Sequence, residues 1–249
     1  MKPAANLSLL WPELPYETRF AAAAAAGFKA VEVLFPYGPD TGITKVALAE
    51  HDLKLILLNA PSPLSDPRGF AAQPDAVAAF RADILTALDC AASLGAPFIH
   101  VMTGEAAGKA AKATLIDNLR WASDVAPDGI TLTLEPLNRV SMPGYFLSDY
   151  GLAADILAAV ERPNVALQYD SFHAQMIHGN ATRVYETYRD LIAHVQIGDA
   201  PDRSGPGAGE IDFESLFAAL RAAGYAGWIS GEYHPGRPTE ETLDWMTFL

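Results

Sequence analysis

Eight times along these 249 residues, a short run rich in Ala, Val, Ile and Leu is followed by a longer stretch with helical spacing of its apolar positions. Alternation of this kind has few solutions. Each strand must lie beside another in a parallel sheet, with helices covering the outside. The spacing predicts strands over residues 4–9, 30–34, 54–59, 97–102, 130–135, 164–170, 193–197 and 227–232. It predicts helices over 16–26, 44–51, 75–94, 112–125, 149–160, 181–189, 212–223 and 240–248. Gly27, Gly95 and Gly224 stand between a helix and the next strand, where a residue without Cβ ends a helix. Asp149 and Asp212 stand where a side chain can cap exposed helix amides.

Two architectures fit such a pattern. An open doubly wound sheet favours Gly-x-Gly-x-x-Gly after its first strand. This chain reads Leu10-Trp11-Pro12-Glu13-Leu14 there, without a glycine. The expectation is therefore a single (β/α)₈ TIM barrel, an α/β fold that typically takes about 250 residues. No low-complexity linker interrupts the chain, so residues 1–249 are read as one catalytic domain.

Half of the residues are hydrophobic and 19% are charged, enough apolar surface for a large core. The net charge of −13 repels phosphate backbones and anionic bilayers, so neither nucleic acid nor a membrane is an expected partner. Cys90 is the one cysteine, which excludes an intrachain disulfide and suits a reducing compartment. It lies in an apolar helical stretch and reads as a buried residue, not a nucleophile. The N-terminus lacks a charged region followed by a long apolar segment, and the apolar run at 21–26 is far shorter than a bilayer span. The expected location is the cytoplasm. Homo-oligomerisation is compatible with these features and not required by them.

Reactive groups of a TIM barrel sit at the carboxyl ends of its strands. The fifth predicted strand ends in Glu135, the sixth in Asp170 and the eighth in Glu232, and the seventh carries Gln196 near its end. A charge at the end of a buried strand is costly unless it is paired or metal-bound. Three converging carboxylates repel one another, and one divalent cation resolves the repulsion. An all-oxygen donor set favours Mg²⁺ or Mn²⁺ over zinc. The alternative is that each carboxylate caps a helix or pairs with an arginine.

Other residues are candidates for substrate contact. His173 follows Asp170 by three positions and falls at the barrel mouth. Arg203 lies in a Gly/Pro-rich loop over 199–209, and its planar fork suits a carboxylate, with a solvated surface position as the alternative. Asn59, at the end of the third strand, either meets substrate or caps a turn. His100, on the fourth strand, either meets substrate or is a satisfied core residue, and His194 invites the same core reading. His234 lies within reach of the mouth, His178 reads as a loop residue, and His51 as a surface residue of a helix. Trp11 and Phe35 either wall the pocket or pack at its rim.

Taken together, several segments resemble the hydroxypyruvate isomerase family, which includes the 2-oxo-tetronate isomerases and belongs to the xylose isomerase-like barrels. They are Ala5-Asn6-Leu7-Ser8, Leu34-Phe35-Pro36-Tyr37, His100-Val101-Met102, Glu135-Pro136-Leu137-Asn138, Pro143-Gly144-Tyr145-Phe146-Leu147, Leu167-Gln168-Tyr169-Asp170, His194-Val195-Gln196-Ile197, Gly209-Glu210-Ile211 and Gly231-Glu232-Tyr233. The resemblance runs through almost the whole chain in order. It implies that Glu135, Asp170, Gln196 and Glu232 hold the metal and that Glu135 and Glu232 transfer the proton. Against the family pattern, the loop after Asn59 and the segment after Gly104 are shortened. Val140, with Arg139 before it, stands where arginine is common.

The implied reaction is aldose–ketose-type isomerisation of a small hydroxy-keto acid through an enediolate. The substrate is hydroxypyruvate, interconverted with tartronate semialdehyde, or a 2-oxo-tetronate. A ketose 3-epimerase is the nearest alternative, although members of that class usually carry histidine at the Gln196 position. An endonuclease of the same barrel class would need more strand-end histidines and a basic groove. A non-catalytic sugar-acid binding protein would not need two opposed glutamates.

Overall fold

A computed structural model describes residues 1–62 and 68–249. Eight parallel strands close into a barrel in chain order: β1 (Lys2–Asn6), β2 (Ala30–Glu32), β3 (Lys54–Asn59), β4 (Phe98–His100), β5 (Thr131–Leu134), β6 (Val165–Asp170), β7 (Ile192–Ile197) and β8 (Trp228–Gly231). The ring closes where Lys2 to Ala5 of β1 pair with Trp228 to Gly231 of β8. The helices are α1 (Tyr16–Ala25), α2 (Pro39–Glu50), α3 (Val77–Leu94), α4 (Gly108–Val125), α5 (Tyr150–Val160), α6 (Ser171–His178), α7 (Ala181–Tyr188) and α8 (Phe213–Ala222). The expected (β/α)₈ barrel is the observed one. Among the described residues, no helix is long and apolar enough to cross a membrane.

Local chemistry explains several element ends. Asp149 accepts from the Leu152 amide at 2.8 Å and caps α5, and Asp212 accepts from the Ser215 amide at 3.0 Å and caps α8, both as expected. Gly95, at φ 74°, terminates α3 in the left-handed conformation.

Other ends differ from expectation. The first strand stops at Asn6, because the Leu10 amide turns back to the Asn6 carbonyl at 2.9 Å, so Leu7 to Leu10 form a turn that buries Leu7 and Leu10 and leaves Ser8 exposed. The second strand stops at Glu32 and not at residue 34. An extra helix, α6, follows β6 at once, started by Asp170 Oδ1 accepting from the Phe172 amide at 2.8 Å. His178 is the last residue of that helix, not a loop residue. The expected helix over 240–248 is instead two 3₁₀ turns, Thr239–Thr242 and Asp244–Phe248. The shortened loop after Asn59 falls partly on residues 63–67, outside the described residues.

The core has two parts. A large apolar cluster lies between sheet and helices, and Cys90 is buried within it. A small cluster of Ala4, Ala30 and Ile56, with Trp228 packed against it, draws on the first half of four strands. Trp11 belongs to the large cluster: it is fully buried, packs edge-on to Phe28 at 6.2 Å and donates from Nε1 to Glu240. That removes it as a pocket wall.

The long segment after β7 is held by one side chain. Buried Asp199 accepts four backbone amides, those of Ala200, Gly207, Gly209 and Ile211, at 2.8 to 2.9 Å. A Cβ on Gly209 would lie 2.1 Å from the Ala200 carbonyl oxygen, so only glycine lets the segment fold back this closely. Asp199→Ala is expected to lower stability by roughly 2–4 kcal/mol, since hydrogen bonds to a charged acceptor contribute about 1.5–3 kcal/mol each and water recovers part of the loss. For a chain of this size that corresponds to a melting temperature lower by roughly 5–15 °C. A thermal melt indistinguishable from the parent's would refute the assignment of Asp199 as the clasp.

Candidate active site

Each strand brings a buried polar side chain to the carboxyl end of the barrel: Asn6, Glu32, Asn59, His100, Glu135, Asp170, Gln196 and Glu232. Asn6 pairs in register with Glu32, Asn59 with His100, and Asp170 with Gln196, so neighbouring strands present these groups side by side. A cavity of about 230 Å³ opens above them. Leu34, Phe35, Met102, Leu137 and Met142 form its apolar side. Asn59, His100, Glu135, His173, Arg203 and Glu232 line the rest, so every expected substrate-contact and proton-transfer residue reaches one cavity. Phe35 is a wall of this pocket, whereas exposed His234 and Arg139, which donates to Ser148 Oγ at 2.9 Å, are not.

Electrostatics are concentrated here. Glu135, Asp170 and Glu232 are all buried. Burial raises the Glu135 carboxyl well above the ordinary carboxylate range, and Glu232 and Asp170 add to the shift. Burial pushes Glu232 up to about 8 against the opposing pull of Arg203. Asp170 is raised for the same first reason. Arg203 is the compensating cation. Its Nη2 lies 2.9 Å from Asp170 Oδ2 and 3.0 Å from Glu232 Oε1, and its guanidinium sits 5.3 Å from the Phe172 ring centre. It is therefore no solvated surface residue. It holds a φ of 53°, a conformation uncommon outside glycine, which its ion pairs and the Asp199 clasp maintain.

One arginine cannot neutralise three carboxylates. Two buried oxygens, Glu135 Oε1 and Glu232 Oε2, have no hydrogen-bond partner among the described residues. Glu135, Asp170 and His173 each place a ligand-type atom within 4.8 Å of the others. Converging carboxyls with bare buried oxygens fit a divalent cation, with Glu135 and Asp170 as its oxygen donors and His173 beside them.

The two histidines are fixed by their neighbours. His173 Nδ1 faces the Asn138 backbone amide at 3.0 Å, and an amide N–H only donates, so the ring carries its hydrogen on Nε2. That nitrogen points at Glu135 Oε1 and Asp170 Oδ2, 3.8 and 3.9 Å away, as a donor. Burial holds His173 well below the usual imidazole range and lowers His100 to about 3, so both rings are neutral near pH 7.

A family model for xylose isomerase-like TIM barrels matches residues 20–249. The 2-oxo-tetronate isomerase of Pectobacterium atrosepticum is 39% identical over 98% of this chain and 96% of its own length. The hydroxypyruvate isomerase of Escherichia coli is 36% identical over 97% of this chain and 96% of its own length. The chain belongs to the hydroxypyruvate isomerase family of xylose isomerase-like barrels. A crystal structure of AP endonuclease, family 2, from Brucella melitensis overlays with a TM-score of 0.94 at 40% identity, covering 99% of this chain and 98% of that one.

Beneath the cavity of this hydroxypyruvate isomerase family member lies a polar network that strand-end reading missed. Glu32 accepts from Asn6 Nδ2 at 3.2 Å and Gln196 Nε2 at 2.7 Å, and its other oxygen is 2.5 Å from His194 Nε2. Gln168 Nε2 donates to Gln196 Oε1 at 2.7 Å and to Glu135 Oε2 at 3.0 Å, and Gln168 Oε1 accepts from Thr133. His194 is thus the core residue expected, held through Nε2 by Glu32 while its Nδ1 has no partner among the described residues. Its partner Glu32 had a visible signal, a carboxylate inside the apolar run Ala30-Val31-Glu32-Val33, but a strand drawn to residue 34 placed it mid-strand. A buried charge with three partners is tolerated where a bare one would be expelled.

Proposed function

We propose that the chain is a metal-dependent isomerase of a small hydroxy-keto acid, interconverting hydroxypyruvate with tartronate semialdehyde or a 2-oxo-tetronate with its 3-oxo isomer. The observation that carries this reading is the pair of buried glutamates, Glu135 after β5 and Glu232 after β8, each turning an unpartnered oxygen into the site. Two buried carboxyls facing one small cavity are what a proton transfer between adjacent carbons requires, one to take the proton and one to return or shuttle it. Full-length relatives named for these two activities support the same substrate class.

Glu135, Asp170, Gln196 and Glu232 would hold the cation, Mg²⁺ or Mn²⁺ by donor type. When bound, the cation supplies Lewis-acid polarisation of the substrate's oxygens. The remaining chemistry belongs to the chain. One glutamate takes the proton from the hydroxyl-bearing carbon. The electron pair of that C–H bond becomes a C=C bond while the carbonyl π pair moves onto its oxygen, giving an enediolate. The first carbon's hydroxyl then passes its proton to that oxygen, its own oxygen re-forms a carbonyl, and the C=C pair takes the proton back at the neighbouring carbon. His173 donates from Nε2 to the oxygen where negative charge develops. Gln168 holds Glu135 by its Oε2 and leaves Oε1 for the reaction. Arg203 meets the substrate carboxylate from the β7 side while restraining Glu232. The residues act as one catalytic domain, and the net charge of −13 argues against a nucleic-acid substrate.

The test is a panel of small keto acids and ketoses with Mg²⁺ or Mn²⁺, followed by proton NMR in D₂O. Interconversion of a keto acid with deuterium entering the product carbon is expected. Inversion of a ketose centre with no keto acid consumed would make the chain an epimerase. Arg203→Ala should mainly raise KM, roughly 10- to 100-fold, the worth of a charge-assisted contact to the substrate, with a smaller loss in kcat because Arg203 also restrains Glu232. Metal affinity, measured by calorimetry, should not fall. An unchanged KM for the turned-over acid would remove Arg203 from substrate binding.

A further inference from the structure

His100 ends β4 and lines the cavity, yet it is buried and its Nε2 has no hydrogen-bond partner among the described residues. Its other nitrogen has neighbours of one kind. Nδ1 lies 3.3 Å from Asn59 Oδ1 and 3.6 Å from Glu135 Oε2. The amide of Asn59 is oriented by Met102, whose thioether sulfur, 4.0 Å from Asn59 Nδ2, accepts and never donates. With the amide nitrogen toward sulfur, the amide oxygen faces the ring, and His100 Nδ1 is the donor. Nε2 is then a bare lone pair. This is the opposite tautomer to His173, whose Nδ1 accepts and whose Nε2 carries the hydrogen. The cavity therefore has a hydrogen-bond donor on its β6 side and an acceptor on its β4 side.

We propose that His100 is a specificity-determining residue: its Nε2 accepts a hydrogen bond from a substrate hydroxyl, and the site thereby selects acids that carry O–H at that carbon over those that do not. A buried acceptor left without a donor is costly, so a ligand lacking the hydroxyl leaves His100 unsatisfied, whereas one that has it removes the cost. Neither a carbonyl nor a halogen substitutes for it, because neither donates. The inference rests on the reading of this cavity as the site of a small hydroxy-acid isomerase.

Two measurements on the Mg²⁺-loaded protein test it. In the first, long-range proton–nitrogen NMR of protein carrying nitrogen-15 histidine reports the tautomers, with His100→Leu and His173→Leu assigning the signals. His100 is expected with Nδ1 protonated, and His173 with Nε2 protonated. An Nε2–H tautomer or a doubly protonated ring at His100 overturns the inference without touching the proposed reaction.

In the second, calorimetry compares glycerate with lactate and 3-chlorolactate, which keep the carboxylate and 2-hydroxyl but lack the terminal O–H. Glycerate is expected to bind roughly 5- to 10-fold more tightly than either, the worth of one hydrogen bond. In His100→Leu the three should agree within about twofold. A merely structural His100 would weaken all three alike and leave their ratio unchanged. Equal binding by the parent protein overturns the selectivity alone, and binding of none of the three overturns the reading of the cavity along with it. Should His100→Leu fail to fold, the parent protein's tautomer and its ligand ratio still decide.

Discussion

Glu135→Gln and Glu232→Gln are each expected to fold, to retain some metal, and to lose roughly 10²–10⁴-fold in kcat, the usual worth of a positioned acid or base. Both substitutions keep volume and an oxygen donor. At position 135 the amide oxygen still accepts from Gln168, which now donates to Glu135 Oε2 at 3.0 Å. At 232 it still accepts from Arg203, now 3.0 Å from Glu232 Oε1. What is lost is the ability to take up and release a proton. The two act as one unit, so the double variant should fall far short of the product of the single losses. Turnover, metal calorimetry and circular dichroism of the three variants check this. Near-parental kcat in either single variant with metal bound would exclude the two-glutamate mechanism, whereas lost turnover with ligand affinity retained excludes a purely binding protein.

Removing the divalent cation should have an even larger effect. A chelator is expected to abolish turnover, and Mg²⁺ or Mn²⁺ to restore it. Stability should follow, because three buried carboxylates are then left with Arg203 as their one cation partner in the site. A ligand bound only by the folded state stabilises it by about 2.7 kcal/mol at one hundred times its dissociation constant. For a chain of this length that is a rise in melting temperature of roughly 5–10 °C. Full turnover in stripped protein, or a melt that does not respond to Mg²⁺ or Mn²⁺, would send the carboxylates back to pairing with arginine and capping helices.

Much of this architecture is written in local pattern. Apolar runs broken by helical spacing specify parallel strands, and the missing glycines after residue 9 argue against an open nucleotide-binding sheet. The last polar residue of a buried strand needs no tertiary knowledge to be noticed, which is how Glu135, Asp170 and Glu232 stand out. Element ends are less legible. Leu7, Leu9 and Leu10 are as apolar as a strand, but the chain turns after Leu7 because the amides of Leu9 and Leu10 pair with the Asn6 carbonyl and not with a neighbouring strand.

What the chain's own order of residues determined, then, is the barrel and the acidic set carried by its fifth, sixth and eighth strands. The tertiary structure alone decided how those groups meet. Glu32 and His194 are 162 positions apart, and only closure of the ring, with β2 and β7 facing each other through its interior, makes them partners. The same closure turns Gln196 between Glu32 and Gln168. Arg203 reads from sequence as a loop cation, and it becomes the counter-charge of Asp170 and Glu232 because Asp199 folds its loop back over the mouth. Hydrophobic periodicity is a local property of neighbouring residues, whereas charge compensation in a buried site depends on distances that the closed barrel alone sets.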